Sequence, residues 1–261
     1  MIDSHAHVAF GSFNADREAV VARLALNNVQ GWIEIGTDLE QSQKAVQLAR
    51  RYNNCWASVG VHPSDIAVLD EATWKKIAEL ANQPKVIAIG EVGFDFYRGG
   101  SLEEQKKVLL RFVQVAHEHR LPMVFHVRDQ AGTDNAHQAM INFLIELSED
   151  TRPFGVIHTF SGTPQHAEEY LRLGLYLSFS GVITFPNAGE IPEVAKTIPL
   201  DRLLIETDCP FLTPVPHRGK RNEPAYVSFV AQKIADLRNI ELEELNQVTE
   251  ANTKRLFEKM K

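Results

Sequence analysis

The stretch Val-Ile-Ala-Ile-Gly-Glu at 86–91 is an apolar run that closes with one carboxylate, Glu91. Such a run is typical of a strand that is buried on both faces, as in a parallel sheet covered by helices. Similar runs recur along the whole chain. Together they predict eight strands, at 1–2, 31–36, 55–61, 86–89, 122–127, 154–157, 175–179 and 203–205.

Segments with a helical spacing of apolar residues separate these runs. Examples are Val20, Leu24 and Leu26 in the first segment, and Val108, Leu109, Phe112, Val113 and Ala116 in the fourth. The alternation favours a (β/α)8 TIM barrel, which commonly takes about 250 residues. An open doubly wound sheet is the alternative, but it usually carries its ligand at one switch point, whereas here polar residues end many strands. We expect residues 1–261 to form one domain, closed by a helix or helix pair at 242–260.

Composition and charge exclude several other classes of protein. With 44% hydrophobic and 23% charged residues, the chain can bury a large core, and it has no apolar run of membrane-spanning length. The N-terminus lacks the pattern of a signal peptide, so we expect a cytoplasmic protein. Two distant cysteines, Cys55 and Cys209, indicate neither a disulfide framework nor a thiolate zinc site. The net charge of −7 repels polyanions, so any contact with nucleic acid must be local.

Single His, Glu and Asp residues close several of the apolar runs. His5 and His7 lie two residues apart, so an extended strand places both imidazoles on the same side. The carboxyl ends of barrel strands meet at one mouth, where the active sites of such barrels lie. The residues therefore predict a metal centre of an enzyme. Its candidate ligands are His5, His7, Glu91, His126, His158 and Asp208.

The carboxylates among these residues have more than one candidate role. A buried Glu91 is costly unless it is paired, and metal binding removes that cost; its two oxygens could also bridge two ions. The alternative for Glu91 is to accept a hydrogen bond from a ligand histidine. Asp208 is a candidate ligand and a candidate catalytic base. Glu206 lies on the same side of its strand and could orient a ligand or hold a basic side chain.

Other candidates lie close to the predicted mouth. His62 ends the third strand and could face the substrate as a catalytic residue, although a hydrogen-bonded loop histidine is an equal alternative. The sequence His-Arg-Gly-Lys-Arg at 217–221 leaves the strand that carries Asp208, so it could hold a phosphate or carboxylate over the site. An ordinary solvated loop is the alternative. The candidate substrate-binding residues are His217, Arg218, Lys220 and Arg221.

Six motifs in order along the chain resemble the TatD family of metal-dependent hydrolases. They are Asp-Ser-His-Ala-His at 3–7, Gly-Val-His-Pro at 60–63, Gly-Glu-Val-Gly-Phe-Asp at 90–95, His-Thr-Phe-Ser-Gly at 158–162, Glu-Thr-Asp-Cys-Pro at 206–210 and Pro-Val-Pro-His-Arg-Gly-Lys-Arg-Asn-Glu-Pro at 214–224. Two positions depart from the family pattern: Thr159 stands where Cys is frequent, and Phe94 where Leu is frequent. Neither position is a candidate ligand.

The resemblance implies a TIM barrel of the amidohydrolase type with one or two divalent metal ions. By matching motifs, His5, His7 and Asp208 would bind one ion, His126 and His158 the second, and Glu91 would lie between them. Members of the family are commonly described as magnesium-dependent deoxyribonucleases that work from the 3′ end of single strands. The histidines suit zinc or manganese better than magnesium, so the metal remains open among Mg, Mn and Zn.

Three hypotheses for function follow. The first is metal-assisted phosphodiester hydrolysis of single-stranded DNA, with Asp208 taking a proton and no obligate protein or membrane partner. The second is an ester or amide hydrolase, such as one that removes a D-amino acid from transfer RNA. The third is a metal-binding scaffold without catalysis, which predicts damaged ligand positions, whereas all six are present.

Overall fold

The computed structural model describes residues 1–260, in which eight parallel strands pair in chain order. The strands are β1 Ile2–Ala6, β2 Gly31–Glu34, β3 Cys55–Val59, β4 Val86–Asp95, β5 Met123–Arg128, β6 Gly155–Ile157, β7 Tyr176–Phe179 and β8 Leu203–Ile205. The α-helices are α1 Arg17–Leu26, α2 Leu39–Arg51, α3 Glu71–Leu80, α4 Leu102–His119, α5 Asn135–Glu146, α6 Pro164–Arg172, α7 Ile191–Thr197, α8 Val227–Arg238 and α9 Leu242–Leu256. Each strand is followed by a helix, and this alternation confirms the predicted (β/α)8 barrel.

The last strand returns to the first just beyond the end of β8. Ala6 and Cys209 form a parallel bridge. The amide of His7 donates to the carbonyl of Cys209, and the amide of Asp208 donates to the carbonyl of His5, both at 2.9 Å. The barrel is therefore joined by the same residues that carry three of the candidate metal ligands.

Two strands are longer than their apolar runs predicted. The run at 1–2 predicted a short first strand, but β1 continues to Ala6 and β4 continues from Val86 to Asp95. Polar residues within both strands are buried, which a hydrophobicity pattern cannot anticipate. His5 and Glu91 thus lie inside strands rather than at their ends. The predicted helical segment of Val20, Leu24 and Leu26 is α1, although Leu26, its last residue, is 82% exposed and does not share the buried face.

The hydrophobic core has two parts. The larger part fills the space between the sheet and the surrounding helices, and it includes the predicted stripe of Leu109, Phe112, Val113 and Ala116 on α4. The smaller part includes Val124 and Val156, with Leu256 and Phe257 from the end of α9. Because side chains alternate along a strand, His126 and His158 continue the sides of Val124 and Val156 toward the carboxyl end.

Local signals explain why α4 begins and ends where it does. Ser101 and Glu104 form a reciprocal capping box, which satisfies two backbone amides at the start of the helix. Arg120 ends it in the left-handed conformation. Among the helices of residues 1–260, no helix has the length and apolar character to cross a membrane.

Candidate metal centre

The first group of candidate ligands consists of His5, His7 and Asp208. The Nε2 atoms of His5 and His7 lie 3.2 Å apart. Oδ1 of Asp208 lies 3.6 Å from Nε2 of His5 and 3.3 Å from Nε2 of His7. Two ligand atoms that each lie about 2.1 Å from a tetrahedral ion are about 3.4 Å apart. These three side chains therefore have the spacing that one metal ion requires.

The second group consists of Glu91, His126 and His158. Oε2 of Glu91 lies 2.9 Å from Nε2 of His158 and 3.4 Å from Nδ1 of His126. The same two ring nitrogens are 3.0 Å apart. Three lone-pair donors thus converge on a second point beside the first.

Glu91 faces both groups. Its Oε2 lies 3.7 Å from Nε2 of His5, and its Oε1 lies 3.9 Å from Nε2 of His7. Burial alone would raise the pKa of Glu91, but the imidazoles of His158 and His126 hold that pKa well below its usual range. Glu91 is therefore an ionised carboxylate placed between two sets of ligands, which is the arrangement of a two-metal site.

The chemistry of this centre fits divalent ions. Three atoms of the centre are buried and make no hydrogen bond within residues 1–260: Oε2 of Glu91, despite its close approach to Nε2 of His158, Nδ1 of His5 and Nδ1 of His158. Buried polar atoms without partners are costly, and a cation between the two groups supplies the partner that Oε2 of Glu91 lacks. Four imidazoles and two carboxylates form a mixed N/O set that suits zinc or manganese.

The backbone of β8 and β1 sets the first group in place. Asp208 has a φ of 55° in the left-handed region, which Asp tolerates better than most residues. Asp3 is fully buried and accepts hydrogen bonds from the amide and hydroxyl of Thr207 and from the amide of His5. These contacts tie the turn before Asp208 to the strand that carries His5.

Two further carboxylates stand behind the second group. Oε1 of Glu206 lies 3.4 Å from Nδ1 of His158 and accepts hydrogen bonds of 2.6 Å from the amide and hydroxyl of Thr159. Oδ2 of Asp95 lies 3.3 Å from Nε2 of His126. Burial would raise the pKa of Asp95, but His126 and two backbone amides lower it to about 2. Carboxylates in such positions orient ligand histidines.

Glu34, the last residue of β2, supports the loop that follows His7. It is fully buried and accepts hydrogen bonds from the amides of Val8 and Ala9 and from the indole of Trp32. Burial raises the pKa of Glu34 from 4.5 to about 7, against the lowering effect of these hydrogen bonds. Native Glu34 therefore keeps a proton at pH values where an unfolded glutamate has lost it.

This difference predicts a pH-dependent stability. The contribution of Glu34 to the free energy of unfolding is largest below its unfolded pKa of 4.5 and is lost as the pH rises through about 7. Glu34→Gln removes the titration. In urea unfolding of metal-free protein, we expect the wild-type value minus the variant value to fall between pH 5 and 8, by on the order of 3 kcal/mol for the full window. A constant difference would show that native Glu34 is ionised throughout.

His62 lies beside the second group. Its ring centroid is 4.2 Å from that of His126, in an edge-on arrangement. Its Nδ1 accepts a hydrogen bond from the amide of Ser64 at 3.1 Å and lies 2.7 Å from the hydroxyl of that residue. Burial lowers the pKa of His62 to about 4, so the ring is neutral at pH 7 and carries its proton on Nε2.

The predicted substrate-binding residues differ in whether their side chains are paired, stacked or exposed. Arg221 donates two hydrogen bonds to the carboxylate of Asp16, at 2.8 and 2.7 Å, so its charge is already paired. The ring of His217 stacks on the ring of Tyr226 with centroids 4.4 Å apart, so this face of the imidazole is not available to a substrate. Arg218 and Lys220 are exposed. Of this set, only Arg218 and Lys220 are cations without a carboxylate partner in residues 1–260. Arg218 also donates to the carbonyl of Thr213 at 3.3 Å and lies 3.9 Å from the ring centroid of Phe185.

Arg128 is not among the residues predicted from the sequence. It is exposed, lies two residues after His126 on β5, and holds its guanidinium 4.4 Å from the ring centroid of Tyr97. In residues 1–260 no carboxylate lies within ion-pair distance of it. Side chains alternate along a strand, as used above for His5 and His7. The same rule could have predicted that Arg128 lies on the same side of β5 as His126.

The fold and the paired groups of histidines and carboxylates define a metal-dependent hydrolase built on a TIM barrel. Residues 2–258 match the family described as TatD related DNase. The chain belongs to this family, as its motifs predicted. The family match and the ligand groups together make divalent metal ions its cofactors.

Known proteins are similar over nearly the full chain. An uncharacterized metal-dependent hydrolase, YabD of Bacillus subtilis, is 39% identical over 258 residues, 98% of each chain. The 3′-5′ ssDNA/RNA exonuclease TatD of Escherichia coli K12 is 38% identical over 264 residues, again 98% of each chain. The crystal structure of YJJV, a TatD homologue from E. coli K12, superposes with a TM-score of 0.90 at 29% identity, covering 99% of this chain and 98% of that one.

Proposed function

We propose that this chain is a 3′–5′ exonuclease that hydrolyses the phosphodiester bonds of single-stranded DNA or RNA. The observation that carries the proposal is the pair of ligand groups joined by Glu91, because two adjacent ions suit in-line displacement at phosphorus. The E. coli relative is a 3′-5′ ssDNA/RNA exonuclease, which supports this choice of substrate. In this proposal all six predicted ligands bind metal ions, and Glu91 is shared between the two ligand groups.

The side chains around the ions divide the remaining work. Bound divalent ions would supply an acidified water and neutralise charge on the phosphate. Burial raises the pKa of Asp208, while its hydrogen bond with His7 lowers it, so Asp208 is a carboxylate basic enough to take the proton from the attacking water. Neutral His62 would donate a hydrogen bond from Nε2 to an oxygen of the phosphate.

We propose that Arg128, Arg218 and Lys220 hold neighbouring phosphates, in place of the wider set predicted from the loop alone. Arg128→Ala is expected to weaken binding of a single-stranded oligonucleotide by about tenfold, because one charged contact is lost. It should also lower the slope of log K against log salt by about 1. Fluorescence anisotropy at several salt concentrations measures both quantities.

Arg221→Ala is the matched control for that measurement. Its guanidinium is bound to Asp16, so this change should leave the salt slope unaltered and instead lower the melting temperature. If Arg221→Ala reduced the slope and Arg128→Ala did not, the substrate would follow the loop as predicted from the sequence.

The assay that tests the proposed function is the digestion of 3′-labelled single-stranded DNA and RNA. Protein from which a chelator has removed bound metal is supplied with Mg²⁺, Mn²⁺ or Zn²⁺. Metal-dependent release of labelled mononucleotides is the expected result. Intact strands with every ion would refute the proposal. A charged D-aminoacyl-tRNA in the same series tests the acyl hydrolase hypothesis, whose products would be free amino acid and intact RNA.

We further propose that the enzyme acts in the cytoplasm. Cys55 and Cys209 are both free and buried, which suits a reducing compartment.

The net charge of −7 supports a short contact with the substrate, so that the affinity for nucleic acid depends only weakly on salt concentration.

A further inference from the structure

Phe211 is an exposed aromatic residue at the edge of the metal centre. Its side chain is 53% exposed, although it follows Asp208 by only three residues. The ring centroid of Phe211 lies 6.2 Å from that of Phe10 and 6.4 Å from that of His7, edge-on in both cases. Phe10 is half-buried and stacks on the ring of His7 at 4.7 Å. An aromatic surface therefore runs from a candidate ligand outward to solvent.

The backbone beneath this exposed ring is held firmly. The amide of Phe211 donates to the carbonyl of Asp208 at 2.9 Å. The carbonyl of Phe211 accepts a 2.6 Å hydrogen bond from the side chain of Asn222, which is fully buried and also donates to the carbonyl of Thr207. Scattered exposed hydrophobic residues need no explanation, but this one is fixed by the same turn that carries Asp208.

We propose that Phe211, backed by Phe10, is the stacking platform for the nucleobase at the 3′ end of the substrate strand. This inference rests on the proposed function. A base attached to the reacting nucleotide must lie beside the phosphate, and this aromatic surface borders the phosphate site through His7. Stacking accepts any base, because every base has a π-face.

The platform also gives a reason for preferring single strands. A base within a duplex is already stacked and paired, and moving it onto Phe211 costs that energy. Moving an unpaired terminal base costs less energy, because no base pair has to be broken. The platform thus favours frayed or single-stranded 3′ ends without reading their sequence.

The test compares two oligonucleotides that differ only in the terminal base. One carries a normal 3′ nucleotide, and the other carries an abasic residue at that position. We expect Phe211→Ala to raise the KM for the normal strand by about tenfold, within the range for loss of one base–aromatic stack, and to change kcat less than twofold. The KM for the abasic strand should stay unchanged, and Phe211→Trp should restore the wild-type KM.

Phe154→Ala is the matched control. Phe154 is 46% exposed and directly precedes β6, so it lies at the opposite end of the barrel. An equal change of KM for both strands, or no change for either, would overturn the platform while leaving the exonuclease proposal intact. A wild-type protein that cleaves neither strand with any ion would instead overturn the proposed function and the platform with it.

Discussion

Asp208→Asn is expected to lower kcat for strand cleavage by about 10³-fold, within the range for loss of a positioned general base. Asn keeps the shape of the side chain and one oxygen that faces His7, but it takes no proton. Asn also tolerates the left-handed backbone at this position, where φ is 55°. The fold should therefore survive the change. Single-turnover cleavage of 3′-labelled DNA with saturating metal measures the effect.

The metal content of Asp208→Asn separates the two roles considered for this residue. Asp208 lies 3.3 Å from Nε2 of His7, so it is a candidate ligand as well as a base. Full metal occupancy with a large loss of rate indicates the base. Loss of one ion together with the rate indicates the ligand. A variant that keeps its metal and more than a tenth of the wild-type rate would contradict the assignment of Asp208 as proton acceptor.

Glu91→Gln should affect both ligand groups at once. The carboxylate faces His5 and His7 on one side and His126 and His158 on the other. Gln offers one weak oxygen ligand and no charge, so we expect metal bound per chain to fall by at least one ion. The rate should fall by about 10³-fold, as expected when several kcal/mol of charge stabilisation are lost. Elemental analysis of dialysed protein gives the stoichiometry.

Glu40→Gln is a suitable control for this change. Glu40 lies on α2 with a side chain that is 73% exposed and paired with Lys44. It should bind the wild-type amount of metal and keep the wild-type rate. If Glu91→Gln also bound the full complement of metal, Glu91 would act only as a hydrogen-bond acceptor for the histidines, which is the alternative considered from the sequence.

Much of the barrel was predictable from the pattern of apolar residues. The eight runs and the stripe of α4 correspond to buried strands and a buried helix face. The pattern failed for β1 and for the second half of β4, where Asp3, His5, Glu91 and Asp95 are buried in strands. Their side chains face residues that are distant in sequence, and hydrophobicity contains no information about such neighbours. The single domain over 1–261 stays a prediction.

The convergence of the six candidate ligands was also predictable, because parallel strands bring their carboxyl ends to one edge. The residues around them were less accessible. Arg221 is engaged by Asp16, which lies 205 positions earlier in the chain, and His217 is covered by Tyr226. A cluster of charges in the sequence does not show which of its members are already paired. The assignment of ligands and substrate contacts stays a prediction until metal and substrate binding are measured.

The sequence by itself determined the class of fold, the family and the residue types of the metal centre, because apolar periodicity and local motifs are properties of neighbouring residues. Only the tertiary structure decided that Asp95 and Glu206 stand behind the histidines of the second group, and which cations have no carboxylate partner. It also placed Phe211 and Phe10 together beside His7. These contacts join residues from opposite ends of the chain, and barrel closure between Ala6 and Cys209 is what brings them within reach.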